Sequence, residues 1–365
     1  MKITFVLPYA GLSGGIRVVA IYAEMLQKLG HDVFVISQPR KQLNLRSRLK
    51  SLFQDKKSIF LSIDYSSYFD NLNVPHEVVE KNRPIKDTDV PDADIIIATW
   101  WETAGWVAKL SKSKGAKVYF IQHYEVHNYL PIERVRATYS LPFHKITVAK
   151  WLRDLMMEKY KDVNVSLVPN SVDTKQFSSP PREKQSVPTV GMMYSPIEWK
   201  GSDMSIKAFC LAKKRVSNLR LLAFGKPPYS SSLPLPLQDN YISQPPQNKI
   251  KDIYSQCDAW LFGSRTEGFG LPILEAMACR TPVIGTSVGA APELLSNGAG
   301  ILVKPEDPQD MSKAIVSICN LSSIEWQSIS ELAYTRATSY SWDDAAKLFE
   351  AELYTAITQN QNNYY

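Results

Sequence analysis

The sequence predicts an α/β protein built from two doubly wound, parallel-sheet domains, and three observations carry that expectation. Short apolar runs alternate with amphipathic helical stretches from the first residues to about position 356. The alternation breaks at Ser178–Pro188 (SSPPREKQSVP), a stretch rich in proline and charge, and then restarts. The 365 residues suit two domains of roughly 100–200 each.

The first half reads in order. Ile3–Leu7 is an apolar strand followed by a Gly11–Gly15 loop. Ile16–Leu29 keeps helical spacing through Val19, Tyr22, Ala23 and Leu26, and Gly30 stops it before a strand at Val33–Ile36. Strands recur at Asp94–Ala98, Val118–Ile121, Ile146–Val148 and Val165–Val168, with a helix from Trp151 to Tyr160. Beyond the linker, Thr189–Met192, Leu219–Ala223, Ala259–Phe262 and Pro282–Gly285 read as strands. Ser202–Arg215 and Pro272–Cys279 read as helices. Runs of this kind between helices belong to a parallel sheet covered on both faces, where ligands bind beyond the carboxyl ends of the strands. The expected division is a first domain over 1–177, a linker over 178–188 and a second domain over 189–338. A helix over 339–358 follows that could cross back to the first domain, and then a polar tail over 359–365 expected to be disordered.

Composition narrows the function. Met1–Pro8 is too short for a signal h-region and no cleavage site follows; no stretch approaches the 18–20 apolar residues of a membrane span. A cytoplasmic protein is the expectation. Cys210, Cys257, Cys279 and Cys319 form no C-x-x-C pair and read as reduced core residues. Of the net +6 charge, the chain through Pro180 holds 25 basic against 18 acidic residues and the remainder 17 against 18. The basic excess includes Arg40, Lys41, Arg46, Arg48, Lys50, Lys56 and Lys57, and suits either an anionic partner or a solvated surface. Within Arg40–Lys57, Leu45, Leu49, Leu52 and Phe53 share a helical face. That pattern fits packing on the domain, or contact with an anionic membrane.

The densest cluster of chemistry is Arg265-Thr266-Glu267-Gly268-Phe269-Gly270-Leu271-Pro272-Ile273-Leu274-Glu275-Ala276-Met277. A strand ends at Phe262, glycines turn the chain, and Pro272 stands where a helix begins. Backbone N–H groups near Gly270 and Leu271, at the positive end of that helix, make an anion site. Glu267 and Glu275 would repel a phosphate if they touched it, so they should bind hydroxyls.

This E-x7-E spacing resembles the retaining family-4 glycosyltransferases of the GT-B fold, two Rossmann-like domains facing a cleft. The resemblance runs through Gly14-Gly15, Gly30–Val33, Val168–Asp173 with Phe177, Trp199-Lys200-Gly201, Thr281–Ile284, Gly289–Glu293 and Gly300–Val303. Phe120–Glu125 looks like the bacterial rhamnosyl-type subgroup. The resemblance implies a donor that is a nucleotide-diphosphate sugar, with no cofactor or metal. It implies that Lys200 binds the diphosphate, Glu275 the ribose and Glu267 the transferred sugar, with Gly270 and Leu271 offering backbone N–H groups. Gly14 and Gly15 would let the first-domain loop approach the diphosphate, and His123 would sit beside the transferred sugar.

Three positions depart from that pattern. Gly191–Glu198 lacks the arginine usual a few residues before the lysine, which leaves Lys200 to act alone or with Arg265 on the diphosphate. Arg280 stands where glycine is usual; a left-handed residue there costs roughly 1 kcal/mol without glycine, so a different turn is expected. Gly289-Ala290 replaces a glycine pair. Elsewhere, Trp100-Trp101-Glu102 follows a strand end and could either stack on an acceptor sugar or be buried. His31, His76, His127 and His144 lack metal-ligand spacing, and Asp173 reads as structural.

The expected function is therefore a hexosyl or deoxyhexosyl transfer to a saccharide, lipid-linked or small-molecule acceptor. The membrane contact, if made, would be peripheral on the inner face of the cell membrane. A nucleotide-sugar epimerase or phosphorylase is the alternative within the fold. A non-catalytic carbohydrate or nucleic-acid binding module is the alternative outside it, although no aromatic RNA-binding motif is present and nucleic acid is not expected.

Overall fold

Apolar runs too short for helices, bounded by glycine and proline, become the strands of two parallel sheets. The computed structural model describes residues 1–40, 66–226, 232–236 and 241–362. The basic segment read as helical from Arg40 to Lys57 lies outside these residues except for Arg40, whose Nε donates to the Ala10 carbonyl at 2.7 Å.

Among the described residues the first sheet contains β1 (Lys2–Leu7), β2 (Asp32–Ser37), β3 (His76–Val78), β4 (Ile95–Ala98), β5 (Ala116–Ile121), β6 (His144–Thr147) and β7 (Val165–Leu167). Their order is β3-β2-β1-β4-β5-β6-β7, all parallel, with Ile3 opposite both Val33 and Ile95. The second contains β8 (Thr189–Met193), β9 (Arg220–Gly225), β10 (Tyr241–Ser243), β11 (Ala259–Phe262), β12 (Val283–Thr286) and β13 (Gly300–Val303). Its order is β10-β9-β8-β11-β12-β13, again parallel. Both follow the doubly wound Rossmann order, which reverses between the first and fourth strands of each sheet. The central strands β4 and β11 are buried throughout, as expected for sheets covered on both faces.

The edge strands β3 and β10 are missing from the sequence reading because both are three residues long, half-buried at best, and carry no apolar run. Helix Gly14–Lys28 begins two residues earlier than its periodicity suggests. Ser13 caps it by accepting from the Ile16 N–H at 3.4 Å, so Gly14 and Gly15 form the first helical turn instead of a loop. In the second domain, helices Ser202–Lys213 and Pro308–Asn320 pack Phe209, Ala212, Met311 and Ile315 into one core with Val190, Leu221 and Trp326. Cys257, Cys279 and Cys319 are buried; Cys210 is exposed on Ser202–Lys213, contrary to its reading as a core residue.

The chain divides into two compact units. One comprises Met1–Val148, Leu152–Val168 and the chain from Ala346 on; the other comprises Ala149–Trp151 and Pro169–Ala345. The division after Val168 precedes the 178–188 linker read from the sequence. Phe177 lies edge-on to Tyr254 at 6.1 Å and Ser171 Oγ donates to the Tyr340 carbonyl at 2.6 Å, so this segment packs with the second unit. The last helix, Trp342–Asn362, belongs from Ala346 to the first unit. There Phe349 stacks on Tyr22 at 4.3 Å and Glu350 meets His31 Nε2 at 2.6 Å. Helix continues through 359–362, the first part of the 359–365 tail expected to be disordered, and His144 Nδ1 holds Gln359 Oε1 at 3.1 Å; the rest of that tail lies outside the described residues.

Arg280 keeps the left-handed turn despite having a side chain, with φ at 59°. Its guanidinium lies over the Tyr334 ring at 4.0 Å, pairs with Glu331, and donates from Nε to the Ser179 carbonyl at 3.1 Å. These contacts offset the roughly 1 kcal/mol of backbone strain, so the changed turn expected from the sequence does not occur. Among the described residues no helix is long and apolar enough to cross a membrane.

Candidate functional site

In the second domain the loops after β8 and β11 flank the point where strand order reverses, the place where doubly wound sheets bind ligands. They carry Lys200 and the stretch Gly263–Gly270 respectively. Gly201 joins them. Its φ is 62°, and a Cβ there would fall 1.7 Å from the Gly263 carbonyl oxygen. A Cβ on Gly263 would in turn meet Ser205 Oγ at 2.3 Å. Only glycine allows two backbones this close, and the Arg265 N–H donating to the Trp199 carbonyl at 2.8 Å completes the seam.

That seam delivers Lys200, the last residue of the turn Glu198–Lys200, to Glu267. Lys200 Nζ donates to Glu267 Oε1 at 2.7 Å, and Ser264 Oγ donates to the same oxygen at 3.0 Å. Glu267 is hemmed in from the other side by Gly289, where a Cβ would come within 2.9 Å of Glu267 Cβ. Its neighbour Ala290 has an ordinary φ of −86° and donates its N–H to the Phe269 carbonyl at 3.0 Å, so losing the second glycine of the usual pair costs nothing here.

Gly270, with φ at 104°, turns the chain into helix Leu271–Ala278, and Pro272 is its second residue. Glu275 is on this helix and nearly buried, with Oε2 accepting from the Tyr254 hydroxyl at 3.0 Å. Tyr254 is itself fully buried, edge-on to Trp260 at 4.5 Å. The site thus brings Lys200 to Glu267, with Gly270 and Leu271 opening the helix that carries Glu275. It also contains Ser264 and Tyr254, which the sequence reading missed. Tyr254 lies 21 positions from its partner, on a short helix, Ile250–Ser255, that reads as core.

Arg265 is in the same loop, but its guanidinium is committed. Nη1 and Nη2 donate to Asp203 Oδ1 and Oδ2 at 2.8 and 2.9 Å, and Nε pairs with Glu306. The guanidinium holds the Asp203 carboxyl below the usual carboxylate range. Nη1 also donates to the Glu198 carbonyl, in the turn that presents Lys200. A fork facing two carboxylates fixes that turn and is poorly placed to clamp a diphosphate.

Gly14, Gly15 and His123 belong to the first domain. Gln122 Nε2 donates to the Gly15 carbonyl at 3.1 Å, joining the end of β5 to the helix that follows β1. His123 Nδ1 donates to the Tyr124 carbonyl at 3.0 Å, and its ring stacks on His127, which stacks on Tyr129. Glu125 is buried, and burial pushes its carboxyl well above the usual range even though the Trp101 N–H donates to it at 2.9 Å. Trp101 is buried with it. His76 and His144 are held by Ser37 and Glu352, and Asp173 caps its own turn through the Lys175 N–H at 2.9 Å.

Residues 184–320 match the family described as glycosyl transferases group 1. The matched region contains Lys200, Glu267, Gly270, Leu271 and Glu275. The chain is similar to a phosphatidylinositol N-acetylglucosaminyltransferase component from Arabidopsis thaliana, 28% identical over 51% of this chain and 43% of that protein. It is also similar to the O-antigen chain mannosyltransferase RfbU of Salmonella typhimurium, 30% identical over 48% and 50% respectively. The chain thus spans about half the length of the curated relatives it matches. Among solved structures it resembles sucrose-phosphate synthase from Thermosynechococcus elongatus, with a TM-score of 0.70, 17% identity, and 99% and 100% of the two chains covered. Anabaena HepE in complex with UDP and glucose aligns with a TM-score of 0.71, 17% identity, and 97% and 99% covered. These likenesses give the fold, which is GT-B.

Proposed function

We propose that the protein is a retaining glycosyltransferase that moves a sugar from a nucleotide-diphosphate sugar to a saccharide, lipid-linked or small-molecule acceptor without a metal ion. The observation that carries this reading is the Lys200–Glu267 pair beside the helix bearing Glu275, at the point of strand-order reversal in the group 1 region. Lys200 and the N-terminus of Leu271–Ala278 meet the negative charge that develops on the departing diphosphate. Glu275 takes the ribose hydroxyls and Glu267 those of the transferred sugar. Two relatives carry related chemistry in their names, a mannosyltransferase and a transferase acting on phosphatidylinositol. The second favours a lipid-linked acceptor. A cytoplasmic enzyme would meet such an acceptor at the inner face of the cell membrane.

Thermal-shift screening against nucleoside diphosphates and their sugars tests the donor class, since a ligand at 100 times its dissociation constant stabilises by about 2.7 kcal/mol. No shift with any of them overturns the reading. Glu275→Gln should weaken nucleoside diphosphate and nucleotide sugar alike, whereas Glu267→Gln should cut transfer without loss of nucleoside diphosphate affinity. Activity should survive EDTA; abolition by EDTA and rescue by a divalent ion would assign leaving-group stabilisation to a metal.

A further inference from the structure

The one cation expected to hold the donor diphosphate already has a built-in anion. Lys200 Nζ is 2.7 Å from Glu267 Oε1, and the pair is partly buried, with 26% and 13% of the two side chains exposed. An exposed ion pair between flexible side chains is worth little, but both ends here are set by backbone. The Gly201–Gly263 seam fixes the lysine turn, and Gly289 closes against Glu267 Cβ. A phosphate that takes the Lys200 N–H now facing Glu267 displaces this carboxylate, which then keeps its hydrogen bond from the Ser264 hydroxyl.

A sugar donor and a spent nucleotide meet this differently. The donor brings hydroxyl groups that can hydrogen-bond to Glu267 in place of the lysine. The bare nucleoside diphosphate brings no sugar hydroxyls to Glu267. We infer that Glu267 is a specificity-determining residue that competes with the diphosphate for Lys200, so that the site holds the sugar donor in preference to the spent nucleotide and releases the latter. This rests on the glycosyltransferase reading and deepens it. It gives Glu267 a role before sugar contact and after sugar departure, as the group that returns to Lys200 when the nucleotide leaves.

The test is calorimetric titration of the full chain with UDP, GDP, ADP and TDP, using for the variants whichever binds the parent. Glu267→Gln keeps the shape and removes the charge, and should bind that diphosphate 3- to 30-fold more tightly. Glu267→Asp keeps the charge but draws it back from the lysine, and should show a smaller part of the gain. In a Lys200→Ala background, adding Glu267→Gln should change affinity by less than twofold, because the contested cation is gone. Unchanged or weaker binding by Glu267→Gln overturns the inference while leaving the donor class intact. A gain that persists without Lys200 also overturns it, since plain repulsion between Glu267 and phosphate would then suffice. Failure of the parent to bind any of the four overturns the glycosyltransferase reading, and this inference with it.

Discussion

Both sheets reverse their strand order between their first and fourth strands, yet the loops near the two reversal points are built from different chemistry. In the second domain they are stitched by ionic contacts: Lys200 to Glu267, and Arg265 to Asp203 and Glu306. Left-handed glycines at 201 and 270 let the backbones close up. In the first domain the loop after β5, one strand beyond the reversal point, is held by uncharged groups. Gln122 bonds the Gly15 carbonyl, His123, His127 and Tyr129 stack, and Glu125 is a buried carboxyl pushed toward its neutral form. One topology therefore supports two kinds of end. A fixed lattice of charges suits an anionic partner. A polar and aromatic surface suits a partner recognised by shape and hydroxyls.

The largest test of this contrast is Lys200→Ala, which should lower turnover by about 10²–10³ and leave the melting temperature nearly unchanged. Unchanged turnover at saturating donor would remove the charged lattice from the chemistry. Next is Gly201→Ala, which places a Cβ inside the Gly263 carbonyl at a φ of 62°. It should cost about 2–3 kcal/mol of stability by urea titration. A wild-type midpoint would mean that the seam between the two loops is loose.

Tyr254→Phe keeps the ring in its aromatic cluster and deletes one hydrogen bond to Glu275. It should weaken nucleoside diphosphate binding by about 1.5 kcal/mol, close to tenfold, since the acceptor is a carboxylate. The loss should vanish in a Glu275→Gln background if the hydroxyl acts by aiming that carboxylate; an undiminished loss would mean a purely structural role.

The smallest effect should separate the domains by pH. Glu125 has its folded pKa raised, so its contribution to stability is fully present below the unfolded value and is lost as pH rises through the folded one. Asp203 is shifted the other way, and its contribution is present above the unfolded value and lost as pH falls through the folded one. Glu125→Gln retains an acceptor for the Trp101 N–H and should raise stability near pH 8 by about 1 kcal/mol, with little change at pH 4. An equal effect at both values would show that Glu125 is ionised in the folded protein.

The charged end was largely legible in the sequence because its candidate residues lie within one turn-helix segment, Arg265 to Met277, plus a single lysine beside a glycine. What that segment could not reveal was commitment. Arg265 looks like a phosphate clamp until Asp203 and Glu306, 62 and 41 positions away, are brought to it. Tyr254 was invisible for the same reason. Arg280 shows the converse, because the backbone cost of its left-handed conformation was readable locally, whereas the Tyr334 ring, Glu331 and Ser179 that offset it were not.

By itself the sequence determined the two parallel sheets, the helices between their longer strands, and the glycine-hinged acidic segment, because periodicity and turn chemistry act over a few neighbouring residues. Only the tertiary structure decided three further things. It set the edge strands β3 and β10, which carry no apolar signal of their own. It assigned the chain from Ala346 to the first domain, through contacts such as Phe349 on Tyr22 and Glu350 on His31. And it chose which anion each cation faces, since a charge is paired by whatever folds within about 4 Å of it, and separation along the chain says nothing about that distance.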